Sequence, residues 1–337
     1  MTLPHEETGL SRQLQLDRFL RREGATVLGV DVFADLAQLE STRWERMAGA
    51  LDAPKTALRV RKHTPGGIQV RMLSGIASAP VIHGGRVIGR VFEDDGAVHC
   101  VLGDVRPATT TAPREEQAAE VFRIIQEALG EAGMDFRDTA RTWFYLDHIL
   151  DWYTEFNQVR TSFFRRHGVV RTPASTGIGT ANLAGSAVVA KVLAVRPKNG
   201  TVTVRQIGSP QQCEAVEYGS AFSRAMEIAD AASRVLYVSG TASIEPGGRT
   251  VHIGNVAMQI ETTMEVVGAL LERAGMGFSD ATRAIAYFRR AEDIPAWDEF
   301  CRVHSLTRLP VIIAECDICR DDLLFEIELD AARPVKR

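Results

Sequence analysis

The acidic pair Glu326 and Glu328 is where the sequence first suggests chemistry. In the run Leu323 to Leu329, Phe325, Ile327 and Leu329 alternate with Leu324, Glu326 and Glu328, the period of two that a strand imposes. Two carboxyls on one strand face suit acid–base work if a cleft shelters them. Burial would raise the pKa of Glu326, and the nearby charge of Glu328 would raise it further. The same run also reads as an edge strand with both carboxyls in water. Just upstream, Cys316 and Cys319 form a CxxC pair. A zinc site needs two more ligands and none clusters nearby, so no metal is expected and buried packing thiols are the plain reading.

Other residues could hold a substrate. Arg289 and Arg320 offer planar guanidinium groups for a bidentate carboxylate contact, and equally for surface salt bridges. Arg160 and Tyr218 are weaker candidates of the same kind. Gly240 and Ala242 are small enough to let a ring approach the backbone. Ser175, Thr176, Gly177 and Gly179 form a small polar run whose N–H groups could face an anion, or a plain turn; no Gly-Lys-Ser/Thr follows, so it is not a phosphate loop. His148 and His252 have no partner at a triad or metal spacing.

The elements that must position these residues come in two copies. Ile124 to Tyr145 aligns without gaps on Val266 to Tyr287 at an offset of 142, with eight of 22 positions identical. Ala118, Phe122, Ile125, Leu129 and Ala132 in one copy, and Ile260, Met264, Val267, Leu271 and Ala274 in the other, step as one buried helix face should. Each helix ends in Ala-Gly-Met, the glycine supplying a left-handed cap, and an Asp-containing turn then leads to an apolar strand.

The second copy adds a strand over Val235 to Ser243, a hairpin-like turn over Glu245 to Arg249, a helix near Ile294 to His304 and the acidic strand. Strand-strand-helix-strand-helix-strand is the order expected, in an α+β fold with mixed sheets and helices on one face. The Phe325 face would lie under the helices and the acidic face would meet a partner subunit or domain. Ahead of the first repeat helix, strands are expected over Thr26 to Val32, Ala57 to Val60, Ile68 to Met72 and Val87 to Phe92. Val202 to Ile207 and the loop after it read as the connection between copies, which places the boundary near 215. The expected domains are thus 1–215, a degenerate first copy with an N-terminal extension, and 216–337, the copy that carries the site. The first copy counts as degenerate because Ala187 to Val195, its counterpart of the last strand, has no acid where Glu326 stands in either register.

Composition narrows the partners. A chain of 337 residues with net charge -4 gives no reason to expect nucleic acid or an anionic membrane. It has no run of 18 apolar residues and no signal-like start, so a cytoplasmic protein is expected. Five scattered cysteines, Cys100, Cys213, Cys301, Cys316 and Cys319, argue for free thiols.

The run Tyr237 to Ile244 (YVSGTASI), Gln259, the Ala-Gly-Met helix end and Leu323 to Ala331 (LLFEIELDA) resemble the reactive-intermediate deaminase (RidA, or YjgF) fold. The arginine that binds substrate carboxylate in RidA-type imine deaminases falls, counted back from Cys319, on Val311 here. Over residues 120 to 331 the duplicated architecture, with Thr172 to Gly179 (TPASTGIG), Val238 to Ser243 (VSGTAS) and Asp317 to Glu328 (DICRDDLLFEIE), is similar to the chorismatases. In that family the last motif also places cysteine and glutamate seven residues apart. Ser209 to Ala225 departs from the family in being shorter and poorer in arginine, although Tyr218 keeps a tyrosine.

The chorismatase resemblance implies cleavage of the enolpyruvyl ether of chorismate, or of a related cyclic enol ether, by a buried glutamate. The products would be pyruvate with a dihydroxycyclohexadiene carboxylate or a hydroxybenzoate, in secondary metabolism and without a cofactor. It implies Glu326 and Cys319 as catalytic residues, Cys319 steering some members toward an aromatic product. Arg289, Arg320, Tyr218, Gly240, Ala242, Arg160, Thr176 and Gly177 would bind a small-molecule carboxylate substrate. The chain would be a monomer with a pseudo-trimeric core or a homo-oligomer such as a trimer. A RidA-like imine or enamine deaminase and a ligand-binding module without chemistry are the alternative functions.

Overall fold

The computed structural model describes residues 2–3, 25–35, 53–60, 66–212 and 221–335. Tyr218 and Cys213 lie outside them. The N-terminal part holds β1 (Thr2–Leu3), β2 (Thr26–Ala34), β3 (Lys55–Arg59) and β4 (Gly67–Leu73), which form their own sheet in the order β1-β4-β2-β3. These strands supply nothing to the first copy's sheet. That copy opens instead with β5 (Ser78–His83), β6 (Arg86–Glu93) and β7 (Ala97–Val105), continues through helix α1 (Arg114–Glu131), β8 (Thr139–Leu146) and helix α2 (Tyr153–Arg166), and ends with β9 (Ala174–Gly179) and β10 (Val188–Pro197).

The second copy repeats this plan: β11 (Thr203–Ile207), β12 (Ala225–Ala229), β13 (Ser233–Ala242), helix α3 (Val256–Arg273), β14 (Ala281–Phe288), helix α4 (Ile294–Val303), β15 (Val311–Glu315) and β16 (Phe325–Pro334). The strand orders β5-β6-β7-β10-β8-β9 and β11-β12-β13-β16-β14-β15 are the same path drawn twice. Each sheet thus has six strands rather than the four in the expected order. β11 pairs with β12 along its length, so the second sheet begins ahead of the boundary expected at 215, and the turn at 198–202 separates the two sheets.

The expected helix faces are the buried ones. Ala118, Phe122, Ile125 and Leu129 pack beneath α1, and Ile260, Met264, Val267, Leu271 and Ala274 beneath α3 with Phe325, Ile327 and Leu329 of β16. Gly133 and Gly275 hold φ of 69° and 68°, and Met134 and Met276 return their N–H groups to Leu129 and Leu271. That is the left-handed close expected of the Ala-Gly-Met ends.

The opposite sheet faces meet one another. Leu28, Phe33 and Leu58 from the N-terminal sheet, Trp143, Tyr145 and Leu193 from the first copy, and Ile285, Tyr287 and Ile312 from the second share one apolar cluster. Three sheets therefore surround a common interior. The N-terminal sheet takes the place a third copy would fill, so the pseudo-trimeric packing is completed by a segment outside the repeat.

Candidate active site between the two copies

The pairing register fixes what stands opposite Glu326. In the second copy Tyr287 pairs with Glu326 and Ile285 with Glu328. At the equivalent rungs of the first copy Tyr145 pairs with Val189 and Trp143 with Lys191. The strand with no acid thus has valine and lysine where the other has two glutamates. β16 lies between β13 and β14, so the edge-strand reading of its carboxyls does not hold; Glu326 is 5% exposed and Glu328 0%.

Strand β9 of the first copy runs against β13 and the β15–β16 loop of the second. Ser175 N donates to Ser239 Oγ at 2.8 Å, and Gly179 and Asp317 exchange backbone hydrogen bonds at 2.8 and 3.0 Å. Ser175 to Gly179, expected as a polar loop, is therefore a strand, and its N–H groups at Ser175 and Gly179 are spent on holding the copies together. Between Val238 and Thr241 the β13–β16 register slips, a bulge that re-aims the backbone. Gly240 sits in it, its N–H donating to Thr176 Oγ1 at 3.0 Å. A Cβ on Gly240 would overlap Glu326 Oε1. The absence of a side chain there is what makes room for the carboxyl.

A cavity of about 50 Å³ opens at this seam. Its walls are Tyr153, Arg160, Ser175 and Gly177 from the first copy, Gly240, Ala242, Ile244, Cys319, Arg320 and Glu326 from the second, and Phe222 and Arg224 from between β11 and β12. It shares Tyr153, Cys319 and Arg320 with a wider groove of about 810 Å³ along α2. Of the residues singled out in the sequence, Glu326, Cys319, Arg320, Gly240, Ala242, Arg160 and Gly177 converge here. Thr176 stands behind the wall, bonded to Gly240 and to Arg141. Arg289 does not line it: its Nη1 donates to the carbonyls of Arg320 and Asp321, which ties down the loop that carries Arg320. Val311 packs against the core under α3 and α4, away from the cavity.

Tyr153, Phe222, Ile244 and Arg224 were not singled out. Arg224 is the one arginine of the arginine-poor stretch Ser209 to Ala225, and it is 2% exposed. The Phe222 ring lies near two guanidinium groups, 5.7 Å from Arg160 and 5.6 Å from Arg224, close enough for cation–π attraction to hold both beside the cavity.

The two carboxyls behave oppositely. Burial, then the charge of Glu328, raises Glu326 to about 8 against a smaller opposing pull from Arg141, and none of the described residues hydrogen-bonds its carboxyl. Burial would raise Glu328 as well, but Arg283 and Arg141 bring it down to about 2. Arg141 Nη2 donates to it at 2.9 Å and Trp143 Nε1 at 3.0 Å, and Arg283 Nη2 also donates. The site thus holds a protonated acid beside a fixed carboxylate, a separation by environment that suits acid catalysis. Burial, reinforced by Glu326, pushes the Cys319 thiol up to about 12; it is a neutral thiol at physiological pH.

Comparison with known proteins agrees with this architecture. The family model described as Endoribonuclease L-PSP matches residues 107–195, the helix-bearing part of the first copy. A 3-hydroxybenzoate synthase of Streptomyces hygroscopicus is 28% identical over 282 residues, 75% of this chain and 79% of that protein. A chorismatase of the same species is 31% identical over 214 residues, 56% of this chain and 60% of that protein. A chorismatase crystal structure superposes with a TM-score of 0.67 at 24% identity, covering 91% of this chain and 93% of that one. The chain is thus similar in sequence to chorismatases and to a 3-hydroxybenzoate synthase, and it shares the chorismatase fold of two RidA-like units in tandem.

Proposed function

We propose that this protein cleaves the enolpyruvyl ether of chorismate, with Glu326 as the acid. The observation that carries the reading is a buried carboxyl, its pKa raised to about 8, in the wall of a cavity that Arg160, Arg224 and Arg320 also line. An enol ether is cleaved by adding a proton to its methylene carbon, and a buried acid near neutrality is the group for that step. The three arginines suit a substrate with two carboxylates, Arg planarity favouring bidentate contacts. The narrow cavity would take the methylene end, and the groove along α2 the rest.

In the first step the Glu326 proton goes to the methylene carbon, leaving an oxocarbenium ion and a Glu326 carboxylate. Water then adds to the oxocarbenium carbon and gives up a proton, which returns Glu326 to its acid form. The hemiketal collapses to pyruvate and a ring alcohol, consuming one water overall. Formation of a hydroxybenzoate would instead end with no net water consumed, since ring aromatisation expels one. Cys319, a neutral thiol in the same cavity, is the residue we assign to steering the ring toward that outcome. The similarity to a 3-hydroxybenzoate synthase supports the aromatic product. The imine-deaminase reading is disfavoured because its carboxylate-binding arginine would fall on Val311, which packs under the helices.

The test is release of pyruvate from chorismate by the purified protein, with the ring product separated by chromatography. Pyruvate with a hydroxybenzoate is expected, and Glu326→Gln should abolish both. No pyruvate at any enzyme concentration would overturn the proposal.

A further inference from the structure

The first copy has no acid of its own, yet two of its side chains, Arg141 and Trp143, end on a carboxylate of the second. Arg141 and Arg283 are the same position of the repeat, and both converge on Glu328 from opposite copies. Glu328 accepts from Arg141, Trp143 and Arg283 and is fully buried. A carboxyl that receives N–H donors on both oxygens, two of them from cations, is held as an anion. Glu326 stands two residues along the same strand face, roughly 7 Å away by strand rise, with none of the described residues donating to it.

We propose that Glu328 is a positioning residue for the acid: held as an anion by Arg283 of its own copy and by Arg141 and Trp143 of the first, it keeps the proton on Glu326. The inference rests on Glu326 being the acid. It gives the copy without an acid a part in the reaction, since removing its arginine changes the charge balance at the other copy's carboxyl.

The groups that face this pair are few enough to name. On β16 they are Glu328 and Asp330; from β8, Arg141 and Tyr145; from β14, Arg283 and Tyr287; and around the cavity, Arg160, Arg224, Arg320 and Cys319. Arg283 is shared between Glu328 and Asp330. Arg141 also donates to Thr176 Oγ1 at 2.6 Å, and Thr176 holds the Gly240 bulge against Glu326. The same guanidinium therefore sets both the charge next to the acid and the backbone beneath it.

The test reads the protonation of Glu326 directly, without substrate. Infrared difference spectra across pH follow the protonated carboxyl band that Glu326→Gln removes. Glu328→Gln, which deletes the neighbouring charge at constant shape, should move that band's midpoint to lower pH by about one unit or more, from the Coulomb energy of charges about 7 Å apart at an effective dielectric of about 20. Arg141→Met leaves Glu328 paired with Arg283 and removes a cation that favours the Glu326 carboxylate, so it should move the midpoint to higher pH. If Glu328→Gln does not fold, Glu328→Met, neutral and of similar length, carries the test with the same downward shift. A midpoint unchanged in the neutral Glu328 variant that folds would overturn the proposal. A band that shifts as expected in a protein that releases no pyruvate would sink the chorismate reading alone.

Discussion

Replacing Glu326 with glutamine should make this protein more stable while it removes the acid. The carboxyl has an ordinary pKa of 4.5 and is raised to about 8 in the fold. Because the folded value exceeds the unfolded one, the native state binds more protons than the unfolded chain between those two pH values, and stability falls as pH rises through that window. Below pH 4.5 the full contribution is present, and above about pH 8 it is gone. A neutral glutamine of the same shape pays no such penalty. The variant's advantage should therefore grow by about 1.4 kcal/mol per pH unit and reach on the order of 4 kcal/mol at pH 7.5. The assay is urea unfolding of wild type and variant at pH 5 and pH 8.5, followed by the fluorescence of the buried tryptophans Trp143 and Trp297. Glu328, held at about 2, contributes with the opposite sign but in both proteins, so it cancels in the difference. A difference that stays the same at the two pH values would refute the reasoning, because the fold would then not be what holds the proton on Glu326.

Two further outcomes follow from the geometry. Gly240→Ala should place a methyl where Glu326 Oε1 lies, costing about 1–3 kcal/mol of stability by overpacking; because it also displaces the acid, kcat should fall more than tenfold while KM changes little, measured by steady-state kinetics. Gly275→Ala, at a left-handed φ of 68°, should cost about 1–2 kcal/mol in thermal unfolding and leave the pH dependence of activity unmoved.

What could be read from the sequence was what local periodicity records. The repeat, the two helix faces, the alternation that buries Phe325 on one side and Glu326 on the other, and the glycine-closed helix ends all depend on neighbours within a few residues. Glu326, Cys319, Arg320 and Gly240 were legible because they share short motifs. The clamp on Glu328 was not, since Arg141 lies 187 residues away in the chain and its partner depends on how two sheets meet. Tyr153 and Arg224 escaped for the same reason: one on α2 and the other just ahead of β12, they sit in stretches with no distinctive pattern and reach the cavity only because the two copies dock there. The third sheet was the largest surprise. Three of its four strands, β2, β3 and β4, are legible in the sequence, but nothing in their spacing tells whether they join the next sheet or close a ring.

That ring has a consequence for how the site can change and how it holds together. In a symmetric trimer every substitution appears three times, so a residue placed for one seam is imposed on all of them. Here the seam that holds Glu326 is built once, from two stretches of one chain, and Val189 and Lys191 are free to differ from Glu326 and Glu328. The two walls of the cavity are also tethered, so their encounter is intramolecular and dilution cannot part them.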